Sequence, residues 1–125
     1  KKPKRSLVRI TRRAIVIKRK VHFATNTADI KPDSRQLLDS VADVLLRNQR
    51  IRVEVQGHTD NRGSRRRNMT LSQARADAVR DYLVKAGVAS DRLVAKGYGP
   101  KRPKRPNITR RNRAINRRVE FKILK

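Results

Sequence analysis

Two residues in the stretch GHTDNRGSRRRNMTLSQARADAV, Gly57 to Val79, have the type and setting to do chemistry: Asp60 and Arg75. Asp60 is the only acid between Glu54 and Asp77 in a chain of formal net charge +25. Arg75 follows Leu71 by one helical turn and stands among Ala74, Ala78 and Val79, on or beside an apolar stripe. A guanidinium placed there needs an anion, because desolvating a lone charge costs several kcal/mol. The spacing therefore predicts that Asp60 and Arg75 meet at the C-terminal edge of a sheet strand, where open α/β sheets tend to bind ligands. Asp60 offers an anion to a ligand ammonium, and Arg75 a two-pronged donor to a ligand carboxylate. Free N–H groups at the start of the helix add a positive end. Together they suit a zwitterion, such as the end of an amino acid. A salt bridge that only ties a loop to a helix is the competing reading, and spacing leaves both open.

Other chemistry has weaker support. His22 and His58 fall at predicted strand ends without a third ligand, so core-edge or solvated histidines are favoured over a metal site. His58 precedes Thr59-Asp60 and is placed to orient that loop. No nucleophile-elbow motif accompanies the Ser, His and Asp residues, which argues against a hydrolase. The NMT and NIT tripeptides match glycosylation sequons at chance frequency, and Gly57, Gly63, Gly97 and Gly99 form no phosphate loop. No cofactor, metal or catalytic residue is expected.

The elements that must position the two residues can be read from periodicity. Leu7, Val8, Ile10, Ile15 and Ile17, then Val21 and Phe23, read as a β-hairpin or a bent strand, followed by the turn-rich ATNTADIKP. Asp33 and Gln36 resemble a capping box for a helix over Ser34–Arg47, with Leu37, Leu38, Val41, Val44 and Leu45 on one face. Ile51, Val53 and Val55 alternate with polar residues in a strand ending at Gly57. A second helix is predicted over Asn68–Ala86, with Gly87 at its C-terminal cap. RLVAKGYG is a short strand, GPKRPKRPNITRRNR a basic loop, and NRRVEFKIL a final strand. The order β(β)αβαββ implies a two-layer α/β sandwich, a mixed sheet with both helices on one face. A basic segment over 1–20 precedes one domain over 21–125.

Composition bounds the rest. The chain has 125 residues, with 35 Lys+Arg against 10 Asp+Glu. No cysteine is present, so there is no disulfide framework or thiolate nucleophile. No run approaches about 20 apolar residues, and the basic start KKPKRSLVRITRR lacks the apolar core of a signal peptide. If the natural protein is exported, this chain is a mature or excised piece.

The stretch TDNRGSRRRNMTLSQARADAVRDYLVKAGV resembles the signature of the OmpA-like, peptidoglycan-associated domain family. GYGPKRP and NRRVEF resemble its later blocks, and VHFATNTADI its opening strand and loop. The resemblance covers about Val21 to Leu124. It implies a non-enzymatic module that binds peptidoglycan through the diaminopimelate of the stem peptide and anchors a periplasmic or outer-membrane protein to the cell wall. It also implies that Asp60 and Arg75 hold the diaminopimelate. The loop after the first strand contributes Thr25 and Asn26, and Thr59, Asn61 and Asn68 line the pocket. One departure is Asn112 before Arg113, where the family has Gly; Asn tolerates a left-handed backbone best after Gly.

The charge departs further. Arg65 to Arg67, Lys101, Arg102, Lys104, Arg105, Arg110 and Arg111 occupy positions that are usually acidic or neutral in the family. Basic residues cover nearly every predicted polar face, whereas a nucleic-acid binder concentrates charge on one face and adds aromatics. That dispersion resembles cationic supercharging of an engineered scaffold. The alternative function is therefore salt-sensitive, sequence-blind binding of polyanions such as nucleic acid or lipopolysaccharide.

Overall fold

The computed structural model of the chain describes residues 7–124. The start of the basic N-terminal segment, 1–6, lies outside the described residues. Strands β1 (Val8–Ile10) and β2 (Ala14–Ile17) form an antiparallel hairpin with Ile10 opposite Ile15. The alternation at Val21 and Phe23 does not prolong it. Phe23 makes only an isolated bridge to Ile30, because the chain turns back at Asn26, whose φ of 60° is left-handed.

Helix α1 (Arg35–Arg47) is entered through a 3-10 turn, Pro32–Ser34. The predicted capping box is absent. Asp33 lies inside that turn and its Oδ2 stands 3.2 Å from His22 Nδ1 instead. The helix buries Leu37, Leu38, Val41, Ala42 and Leu45. Its last carbonyls are covered by Arg92, whose guanidinium donates to Leu45 and Asn48 and whose Nε donates to Ile51. A cation over the negative end of a helix is the favourable arrangement.

β3 (Arg52–His58) leads into α2 (Arg65–Lys85), and α2 into β4 (Leu93–Gly99), which pairs parallel with β3. The helix starts before the expected Asn68. Ser64 is the true cap, its Oγ accepting from Arg67 N at 3.0 Å, so the arginine run forms the first turn. At the other end Gly87, at φ 111°, closes a Schellman motif: Gly87 N donates to Val84 and Val88 N to Leu83.

The buried line of α2 is Ser72, Ala76, Val79 and Leu83: Val79 and Leu83 lie on the apolar stripe the sequence predicts, whereas Ser72 and Ala76 are buried in place of Leu71, Ala74 and Ala78, which are only partly so. The cause is close backbone approach. A Cβ at Gly57 would overlap the Ser72 carbonyl, and one at Gly97 the Gln73 amide. Only a small residue fits at that crossing, so Ser72 takes it. Ser72 Oγ donates to Met69 O and accepts from Gly99 N. Gln73 accepts from Gly97 N and donates to Ala95 O, which covers the outer edge of β4.

The segment read as a basic loop contains a third helix, α3 (Arg110–Asn116), capped by Thr109 Oγ1 accepting from Asn112 N. Asn112 is therefore helical, and no left-handed backbone is needed there. β5 (Arg118–Leu124) closes a five-stranded sheet of order β1-β2-β5-β3-β4, with β5 antiparallel to both neighbours. α1 and α2 pack on one another and on the sheet. The core between them holds Ile15, Val53, Val55, Leu93, Val119 and Phe121. The mixed two-layer sandwich is as the element order predicts.

Candidate functional site

The register of β5 against β3 decides what surrounds Asp60. His58, the last residue of β3, lies opposite Arg118, the first of β5. Arg117 is thereby delivered to the end of β3, where Asp60 begins the loop to α2. Asp60 is 6% exposed. Its Oδ1 accepts from Arg62 N at 3.0 Å, an Asx-type turn, and its Oδ2 accepts from Arg117 Nη1 at 2.7 Å. Asn68 Nδ2 ties the loop to the helix start by donating to Arg62 O, and Thr59 Oγ1 donates to Asp60 O.

Arg75 does not pair with Asp60, contrary to the expectation. Its Nε donates to Thr27 O at 2.7 Å, and its guanidinium lies 4.7 Å from the centre of the Phe23 ring. The left-handed turn at Asn26 brings that carbonyl to the helix, and the ring supplies a cation–π contact. Neither partner is an anion. Burial, and then the charge of Arg117, lower the Arg75 pKa from its usual value. The guanidinium therefore lacks an anionic partner among the described residues.

Asp60 and Arg75 nevertheless share one cavity of about 460 Å³. Thr25, Asn26, Thr59 and Asn68 also line it, with Phe23 and Leu71 as apolar wall. Asn61 does not; it faces a separate shallow cleft with Gly63 and Pro100. Sequence reasoning missed Arg117 and Lys20, both cavity residues. The signal for Arg117 was its place just before the strand that pairs with β3. Lys20, just upstream of the predicted domain start at 21, had none. No residue of the 99–113 segment lines the cavity. That segment is held aside by Asn116, fully buried, whose Oδ1 accepts from Lys104 N and Arg105 N and whose Nδ2 donates to Arg105 O and Asn107 Oδ1.

His58 orients this end of β3. Glu54 accepts from Gln56 Nε2, so Gln56 Oε1 faces His58 Nε2, which must carry the proton. The ring stacks on Tyr98 at 5.4 Å, and Nδ1 is a buried acceptor without a hydrogen-bond partner among the described residues. Burial first, then Arg118, pull its pKa down to about 4. No group of three metal-ligating side chains exists among the described residues, and no helix there is long and apolar enough to cross a membrane.

A strand end carrying Thr59-Asp60, a capped helix with Arg75, and an Asn-turned loop over its guanidinium can be compared with known proteins. The profile described as OmpA family matches residues 22–117. The chain belongs to the OmpA family. It is 44% identical over 103 residues to outer membrane porin F of Pseudomonas fluorescens, covering 82% of this chain and 32% of that protein. The match to peptidoglycan-binding protein ArfA of Mycobacterium tuberculosis is 41% over 103 residues, 82% of this chain and 32% of that protein. The chain thus spans about a third of these two relatives. The solved peptidoglycan-associated lipoprotein of Burkholderia pseudomallei superposes with a TM-score of 0.77 at 29% identity, covering 85% of this chain and 90% of that one. In this OmpA-family chain the matched span holds every residue of the cavity except Lys20, Val21, Arg118 and Val119.

Proposed function

We propose that this domain binds peptidoglycan non-covalently through a diaminopimelate-type zwitterion and so anchors an outer-membrane or periplasmic protein to the cell wall. The carrying observation is a buried carboxylate and an arginine without an anion in one water-accessible cavity. Asp60 takes the ligand ammonium on the lone pairs that Arg62 N and Arg117 leave free. Arg75 takes the ligand carboxylate with the guanidinium N–H groups not used on Thr27. Thr25, Asn26, Thr59 and Asn68 frame the cavity. Asn61 is left out of this reading. The names of the relatives, peptidoglycan-binding protein and peptidoglycan-associated lipoprotein, point the same way. The test is a pull-down at high salt with diaminopimelate-type and lysine-type peptidoglycan, using wild type, Asp60→Ala and Arg75→Ala. Wild type retained by the first polymer and both variants lost is the expected outcome. Equal retention of all three proteins on both polymers would refute it.

A second reading rests on the open face of the sheet. A groove of about 740 Å³ there is lined by Arg13, Lys18, Arg19, Arg102, Lys104 and Lys122, among others, with Glu120 as its one acid. Such a groove attracts polyanions by counterion release, whether the chain's charge is natural or engineered. Binding to a nucleic acid or lipopolysaccharide that weakens steeply between low and high salt supports it, and a salt-independent affinity sinks it.

A further inference from the structure

The Asp60 cavity holds more positive charge than one zwitterion answers. Lys20, Arg62, Arg75, Arg117 and Arg118 line it against the single carboxylate of Asp60. Arg117 is committed to Asp60, and Arg118 to Glu120. A ligand carboxylate at Arg75 still leaves Lys20 without an anion. Lys20 Nζ donates to the Ala114 carbonyl at 2.6 Å, where α3 ends beside the cavity, and makes no ion pair among the described residues. That hydrogen bond fixes where the ammonium stands without neutralising it. Burial, then the charges of Arg117 and Arg75, lower the Lys20 pKa, so a third cation is held beside two others at an electrostatic cost. Lys20 stands two residues before the stretch that matches the family profile.

We propose that Lys20 is a second anion-binding residue of this cavity, and that the ligand carries a further carboxylate beside the zwitterion, which Lys20 takes. This rests on the reading of Asp60 and Arg75 above and narrows its ligand class. A compact ammonium on a flexible four-carbon stem suits the task, because it can swing from the Ala114 carbonyl to a ligand oxygen. A peptide in which diaminopimelate follows a glutamyl residue joined through its side-chain carboxyl offers such a group, the free α-carboxylate. Amidation of that carboxylate removes its charge and leaves its shape. The cavity then distinguishes the acid from the amide form of one peptide through the Lys20 ammonium.

The test is calorimetric titration with two soluble dipeptides, γ-D-glutamyl-diaminopimelate and its glutamyl α-amide, at about 150 mM salt so that long-range attraction is screened. Wild type should bind the acid about tenfold more tightly than the amide. Lys20→Met, which keeps the stem and removes the charge, should bind both forms equally, at the wild-type affinity for the amide. Lys20→Arg should restore the preference. Equal affinity of wild type for the two forms, or a preference that survives Lys20→Met, overturns the role of Lys20. The Asp60 and Arg75 reading then still stands if Asp60→Ala and Arg75→Ala each lose both peptides. Failure of wild type to bind either peptide overturns both.

Discussion

Acid should loosen this fold through His58. The side chain is 3% exposed, stacked on Tyr98, and donates through Nε2 to Gln56. Its pKa falls from 6.5 to about 4, chiefly through burial and secondarily through Arg118. The fold therefore favours the neutral ring. That stabilisation is complete above about pH 6.5, where both folded and unfolded states are neutral, and is lost progressively as pH falls from 6.5 to about 4. At roughly 1.4 kcal/mol for each pH unit, the loss across the window is about 3 kcal/mol, a large share of a domain's stability. Burial alone would raise the Glu54 and Glu120 carboxyls. Hydrogen bonds from Tyr98 and Gln56 to Glu54 and from Arg118 to Glu120, together with the nearby charges of Lys96, Lys122, Arg118 and Lys104, outweigh it and hold both below the usual carboxylate value. Their stabilisation is present above the ordinary carboxylate value of 4.5 and is lost as pH falls below it, so it overlaps only the lower end of the His58 window and is common to wild type and variant. The assay is urea unfolding of wild type and His58→Gln at steps between pH 7 and pH 4. Wild type should lose about 3 kcal/mol more than the variant over that range. Parallel pH dependence of the two proteins, or a His58 ring resonance that titrates near 6.5, would refute the reasoning.

Three further outcomes follow from the packing and the site. Gly57→Ala should cost about 1–3 kcal/mol in chemical unfolding, because the new methyl meets the Ser72 backbone rather than a movable side chain; an unchanged midpoint would contradict the close helix–sheet approach. Asn116→Ala removes hydrogen bonds to three residues of the proline-rich segment and should cost about 2–4 kcal/mol while raising amide exchange across 104–107. Asp60→Asn keeps the shape and the bond from Arg62 N but loses the charge, so diaminopimelate binding should weaken about tenfold or more by titration calorimetry, with the melting temperature falling by only a few degrees.

How much was legible depended on range along the chain. Helix α1, β3 and the Gly87 cap rest on local period and cap chemistry, which sequence carries directly. The missed start of α2 had a local signal, Ser64, masked by reading Arg65–Arg67 as surface charge only. The missed α3 was hidden because prolines and basic residues outweighed Thr109 as a cap. Phe23 alternates like a strand residue, yet it sits in a bridge before a left-handed turn, where its ring serves Arg75 rather than a sheet.

The composition of the site was readable because an acid kept in a strongly basic segment and an arginine on an apolar stripe both demand an explanation on desolvation grounds. Those arguments name which residues need partners, and their spacing placed both at one strand end. They cannot say which partner each one finds. Asp60 meets Arg117 because β5 runs antiparallel beside β3 in one register, and a one-residue slip would have turned that edge over. Arg75 meets the Thr27 carbonyl because a turn 48 residues earlier reaches the helix. Lys20 meets Ala114 across 94 residues. Sequence by itself thus determined the charges, the two long helices apart from the first turn of α2, and the demand for counter-ions. Tertiary structure alone decided the pairing, because contacts between distant segments depend on strand register and loop path, which no local pattern encodes.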